Sequence, residues 1–189
     1  MSSILDVPSI RERIARISVG EYHRQPERNE HGRRTELICG LVIEKTGKSP
    51  RHEATVKRLF RILWNVAGKT HVVSKDSPLT LRDSEPEPDI AVVAGHDDDF
   101  TAEHPHTAAL VIEVAVTSTA EDRALAALYA EAGVAEYWIV LPAEQSIEVH
   151  RHPENGRYRE TRIFTGGNTL DCASVPGVRV VLGELFAGL

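Results

Sequence analysis

ALVIEVAV, residues 109–116, is the most hydrophobic run in the chain, and its reading decides the fold. Its eight residues are too few for a typical globular helix. The β-branched residues occur at both parities, so neither face is polar, as in a strand buried on both sides of a sheet. Glu113 interrupts this run. Downstream, Ser118-Thr-Ala-Glu121 has the S-x-x-E form of a capping box. It opens a predicted helix that carries Leu125, Leu128, Tyr129 and Ala132 on one face and stops at Gly133. EYWIVL, residues 136–141, then reads as a second buried strand. Upstream, IAVVA, residues 90–94, reads as a third. The segment before it, SEPEP at 84–88, cannot be a central strand because proline lacks the N–H that a ladder needs.

Further out, TELICGLVIE at 35–44 reads as two short strands joined near Cys39-Gly40, with glycine supplying the turn. Ser49-Pro50 punctuates, and an amphipathic helix follows over 53–67. Val56, Leu59, Phe60, Leu63 and Ala67 share its apolar face, Lys57, Arg58 and Arg61 lie largely away from it, and Gly68 is the expected stop. Short strands are expected at 71–73 and 79–81, and a polar loop at 96–106. Residues 146–150 alternate as a half-exposed strand does, and Glu154-Asn155-Gly156 looks like a hairpin turn before a strand at 158–164. A strand at 178–182 and a short helix at 184–186 finish the chain. This order implies an α/β fold: a mixed β-sheet flanked by helices, with an antiparallel extension, in a single domain over residues 1–189.

The 189 residues suffice for one sizeable core. Two cysteines, Cys39 and Cys172, argue against a disulfide framework and fit a reducing cytoplasm. No apolar run approaches the ~20 residues of a membrane span, and the N-terminal residues lack a signal-peptide core, so a cytoplasmic protein without a membrane partner is expected. The net charge of −6 argues against a protein that simply coats nucleic acid. The charge is unevenly spread, however. Residues 24–69 hold 11 Lys/Arg against 5 Asp/Glu, and residues 83–148 hold 15 Asp/Glu against Arg123 alone. A basic lobe followed by an acidic centre can hold a polyanion over a cation site; two differently charged solvated surfaces would give the same count.

Glu113 is the sharpest chemical signal. An unpaired carboxylate inside a buried strand costs several kcal/mol, so it must be protonated, paired with a buried Arg or Lys, or bound to metal. Asp89 is the second signal, standing where the proline-rich segment enters the strand at 90–94. Alone it reads equally well as a turn residue. If the two strands are neighbours, Asp89 and Glu113 can share one cation, and two hard oxygen ligands with open positions suit Mg²⁺ or Mn²⁺. Such a metal serves phosphodiester hydrolysis. Glu36 is a third candidate beside the basic helix, with Glu44 the weaker choice. His52, at the start of that helix, is placed to contact phosphate or to transfer a proton. The H-x-H pairs His104/His106 and His150/His152 lack a third ligand, and Asp97-Asp98-Asp99 lacks the spacing of a calcium loop.

TELICGLVIEK, KSPRH, SPLTLRDSEPEPDIAVV, VIEVAVTST, DRALAALYAEAGVAEYWIVLP and GELF, taken in order over residues 17–186, resemble the Uma family of restriction-endonuclease-like proteins, a branch of the PD-(D/E)XK nuclease superfamily. The resemblance implies a restriction-endonuclease-like sheet flanked by helices. It also implies a DNA phosphodiesterase using Mg²⁺ or Mn²⁺, with DNA as the partner. It makes Asp89, preceded by Pro88, the acid of the P-D element, and Glu113 the acid of (D/E)-x-K. Val114-Ala115 follow with no lysine. Members of the family carry a lysine on the following helix instead, and by spacing it belongs at Leu125. Leu41 likewise stands where many relatives carry an acid. The lysine places positive charge at the reacting phosphate, and loss of such a group costs orders of magnitude in rate. Arg123 is long enough to compensate, though from a different helix face. Three readings follow: a metal-dependent endonuclease using Asp89, Glu113, Glu36 and His52; a nuclease-fold binding module that has lost catalysis; and a homodimeric interaction protein assembled through the apolar segment 178–189.

Overall fold

A computed structural model describes residues 4–24, 34–67 and 70–189. Two compact units divide them, one made of the described residues up to Lys45 with Arg82–Glu85, the other of Thr46–Leu81 with Pro86–Leu189.

The smaller unit contains α1 (Pro8–Arg11), α2 (Val19–Arg24), β1 (Thr35–Ile38) and β2 (Leu41–Glu44). β1 and β2 form the expected antiparallel hairpin. Its turn residues Cys39 and Gly40 both have positive φ, at 49° and 76°. Two consecutive left-handed residues give the twist that a tight hairpin needs, and glycine accepts this without steric cost. A Cβ at Gly40 would also lie 2.7 Å from the Arg16 Cβ. Tyr22 fixes α2 to the hairpin, with its hydroxyl donating to the Thr35 carbonyl at 2.9 Å. His23 Nε2 lies 2.6 Å from the buried Glu85 carboxylate.

The larger unit runs α3 (Pro50–Val66), β3 (His71–Lys75), β4 (Ile90–Ala94), β5 (Leu110–Val114), α4 (Thr119–Glu131), β6 (Glu136–Leu141), β7 (Ser146–Glu154), β8 (Arg157–Thr165), β9 (Thr169–Asp171), β10 (Arg179–Val181) and α5 (Leu182–Phe186). β3 to β8 form one six-stranded sheet in chain order. All its neighbours are antiparallel except β5 and β6, which α4 connects as a parallel crossover. A mixed sheet flanked by helices is therefore the architecture. Period-two alternation builds a core on each face. Val92, Ile112, Trp138 and Val149 pack with Val56, Leu59 and Leu63 of α3. Val93, Val111, Tyr137 and Ile139 pack with Tyr129 of α4. Each fully buried Leu or Val of this kind contributes about 1.5–3 kcal/mol.

α3 starts earlier than its apolar periodicity predicts. Ser49 caps it, its hydroxyl accepting from the His52 N–H at 3.2 Å, and Pro50 occupies the first turn, where its missing N–H costs nothing. The helix ends with the Ala67 N–H on the Leu63 carbonyl at 2.8 Å; the expected stop at Gly68 lies outside the described residues. Leu79 and Leu81 are buried, but residues 79–81 are not a strand, because the N–H groups reach single loop carbonyls, Leu79 to Pro86 and Thr80 to Pro105. The S-x-x-E capping box does not form: the Ser118 hydroxyl turns to the Asp122 carboxylate at 2.6 Å instead. Residues 146–149 are buried rather than half-exposed, since the alternating polar side lies against α4, where Arg123 covers Glu148. β9, which pairs with β10, was not expected. The apolar residues of the segment proposed for dimerisation, Val178, Val180, Leu182, Leu185 and Phe186, are buried within the chain's own core. No helix among the described residues is long and apolar enough to cross a membrane.

Candidate active site

The site begins with proline chemistry. Pro86 and Pro88 keep their segment out of any ladder, so β4 cannot start before residue 89. Antiparallel pairing of Ile90 with Ile112 then sets residue 89 opposite residue 113, one step further out. Both side chains share the sheet face of Ala91, Val93 and Val111. The link is direct: the Asp89 N–H donates to Glu113 Oε2 at 3.1 Å. On the other side of the pair, the Val114 N–H donates to Asp89 Oδ2 at 2.8 Å. The Tyr129 hydroxyl of α4 donates to Glu113 Oε1 at 3.0 Å. Two carboxylates thus lock each other through backbone N–H groups at the carboxyl end of β5.

His52, in the first turn of α3, places Nε2 2.8 Å from Asp89 Oδ2. Its Nδ1 is buried with no hydrogen-bond partner among the described residues. Lys48, two residues ahead of the α3 proline, donates from Nζ to Asp89 Oδ1 at 2.7 Å and also to Asp76. Lys75 extends the chain of charges, with Nζ 3.5 Å from Asp76 and 3.2 Å from Glu53. Burial opposes ionisation of Asp89, but the hydrogen bonds and charges of His52 and Lys48 outweigh it and hold the carboxyl below its ordinary range. Burial likewise works against the Lys48 ammonium, and its bonds to Asp76 and Asp89 reverse that and raise it. The phenol of Tyr137 is pushed well up by burial and then by the nearby negative charge of Glu113 and Asp122.

Of the residues singled out in the sequence, Asp89, Glu113 and His52 come together. Glu36 lies on β1 of the smaller unit, where Lys45 pairs with it at 3.3 Å, and Glu44 is exposed on β2. Arg123, the suggested substitute for the absent lysine, is committed to Glu148. Leu125 is packed against the apolar cluster around Tyr129. The basic face of α3 is smaller than it reads, because Arg58 caps the C-terminal helix, donating to the Leu185 and Ala187 carbonyls at 2.7 Å each. Lys57 and Arg61 remain exposed. Of the histidine pairs, His106 bonds the Thr80 carbonyl, and His150 bonds Thr161 and stacks on Tyr137. Lys48 and Asp76 were missed. The available signal was a lysine beside the Ser49 cap, one turn from His52; nothing local marks Asp76.

The donor set suits a hard divalent ion in kind. Among the described residues, no three His, Cys, Asp or Glu converge as a ready-made metal cage. Mg²⁺ and Mn²⁺ do not require one, since they bind through one or two carboxylates and keep several waters. Lys48 is the counter-ion at Asp89 that such an ion would share or displace.

A mixed sheet with flanking helices and an acid pair where β4 meets β5 defines the restriction-endonuclease-like class of fold. The chain belongs to the Uma2 family, described as "putative restriction endonuclease", which it matches over residues 19–183. It is similar in structure to a crystal structure of a "putative nuclease belonging to DUF820" from Anabaena variabilis, with a TM-score of 0.78 and 18% identity, covering 90% of this chain and 98% of that one. No curated protein matches it.

Proposed function

We propose that the protein is a metal-dependent DNA endonuclease with its centre at Asp89 and Glu113. The observation that carries this reading is the β4–β5 register, which sets two carboxylates opposite each other at a sheet end, with the Asp89 N–H donating to Glu113. Structural economy does not call for such a pair, since facing like charges oppose each other's ionisation. Membership of a family described as restriction endonucleases supports DNA as the substrate. Asp89 and Glu113 would hold Mg²⁺ or Mn²⁺, which when bound supplies Lewis-acid polarisation of a phosphate oxygen and a more acidic water. The protein's own groups hold this geometry. His52 and the Val114 N–H orient Asp89, and Tyr129 and the Asp89 N–H orient Glu113. Lys57 and Arg61 offer exposed cations for the DNA backbone. Glu36 is left out of this reading, because its described ion pair commits it to Lys45.

The test is a time course of plasmid nicking in Mn²⁺ with the natural protein beside Asp89→Ala. The natural protein should cut, and the variant should lose about 10²–10³-fold or more. Equal cutting by both would overturn the site. A second reading, a nuclease fold that binds DNA without cutting it, is favoured by the apolar packing of Leu125. DNA binding with no cleavage in either ion would select it.

A further inference from the structure

We infer that Lys48 is the cation that meets the substrate phosphate at this site, in place of the residue at position 125, and that Asp76 is its positioning residue. The inference rests on the nuclease reading above. Phosphodiester hydrolysis forms a bond from water oxygen to phosphorus and breaks the bond to the leaving sugar oxygen. The water gives up a proton and the leaving oxygen gains one, which yields a phosphate monoester and a hydroxyl. Negative charge gathers on the non-bridging oxygens in between, and a fixed ammonium there lowers the barrier.

Each place where the sequence suggests such a cation is already spent. Leu125 is half-buried against Tyr129 and its apolar neighbours, and Arg123 is held by Glu148. Lys48 lies at the acid pair itself, with Nζ 2.7 Å from Asp89 Oδ1. It is not a loose surface lysine. Its side chain is only 21% exposed, and its backbone leads directly into the capped, proline-fixed start of α3. Asp76, at the end of β3, takes a second hydrogen bond from the same ammonium and is itself steadied by Lys75, which Glu53 holds in turn. A lysine needed only to neutralise Asp89 would not require this second carboxylate, because His52 already bonds Asp89. Two carboxylates gripping one ammonium fix its position, and position is what a transition-state contact needs.

The experiment compares the natural protein with Lys48→Ala, Lys48→Gln, Asp76→Asn, Asp76→Glu and the double variant Lys48→Ala/Leu125→Lys, each checked for folding by circular dichroism. Two readouts are taken. One is duplex cleavage in Mn²⁺. The other is the salt dependence of duplex binding in Ca²⁺, which does not depend on turnover. Both Lys48 variants should lose about 10²–10³-fold in cleavage. They should also reduce the slope of log affinity against log salt by about one, the signature of one lost phosphate contact. The double variant should regain about ten-fold or more in rate. Asp76→Asn should slow cleavage, and Asp76→Glu should restore it.

Cleavage by Lys48→Ala at or above the natural rate would overturn the assignment; a faster rate would make Lys48 a plug on the metal position. A fall in cleavage with an unchanged salt slope would also overturn it, since Lys48 would then merely hold the site together. If the natural protein cuts nothing, the nuclease reading fails on its own. The salt slope then decides Lys48: a fall of about one keeps it as the phosphate contact, and no change removes it.

Discussion

Glu113 and Glu136 stand on neighbouring parallel strands, one at the carboxyl end of β5 and the other at the start of β6, and the chain treats them in opposite ways. Glu136 is 1% exposed and closed on every side. Trp138 Nε1 and Arg151 Nε donate to its Oε1 at 2.8 and 3.0 Å. The N–H groups of Ala173 and Ser174 donate to Oε2 at 2.8 and 3.1 Å. Burial and then the charge of Glu136 push the neighbouring Cys172 thiol up to about 11. This carboxylate clamps the loop after β9 onto the sheet. Glu113 is answered by a tyrosine hydroxyl and by the backbone N–H of another acid, and that acid in turn holds a lysine and a histidine. A carboxylate wrapped by a guanidinium and N–H donors serves stability. In the proposed reading, two carboxylates facing each other, one of them held by Lys48 and His52, serve a ligand instead.

The largest effect is expected at Arg151. Arg151→Ala leaves Glu136 buried without its guanidinium, and the expected loss is about 3–5 kcal/mol in urea unfolding. DNA cleavage per folded molecule should stay unchanged. A stability loss below about 1 kcal/mol would mean that the N–H donors alone satisfy the carboxylate, and the contrast between the two acids would weaken.

A smaller effect is expected at the α4 face. The hydrogen bond and charge of Arg123 hold the Glu148 carboxyl below its ordinary range, against the opposing effect of burial. The pair therefore adds stability above the ordinary glutamate range and loses it as pH falls through the lowered value. Arg123→Ala should move the acid-unfolding midpoint upward in a circular-dichroism titration, and cleavage should be preserved. An unchanged midpoint would show that the ion pair contributes nothing; lost cleavage would return Arg123 to the site.

The parts of this design that local pattern governs were legible in the sequence. The apolar runs at 90–94, 109–116 and 136–141 each became a strand of the central sheet, and the Cys39-Gly40 and Asn155-Gly156 turns formed at the expected glycines, both at positive φ. The pairing of Asp89 with Glu113 was legible as a condition, that their strands be neighbours, and the register fulfils it. What stayed hidden depends on contacts distant in the chain. Lys48 meets Asp89 across 41 residues, and Asp76 across 28. Glu136 looked like one more residue of a buried strand until Arg151 and the 172–174 loop closed on it. The capping box failed for a local reason: the Ser118 hydroxyl donates to the Asp122 carboxylate and does not accept from the backbone N–H.

The proposed function requires that the facing acids, Asp89 and Glu113, take a divalent ion. Calorimetric titration with Mn²⁺ tests it most directly, on the natural protein and on Asp89→Ala, with folding of both verified. The natural protein should give a saturable binding heat that disappears in Asp89→Ala. Binding of equal affinity in the two proteins would contradict it.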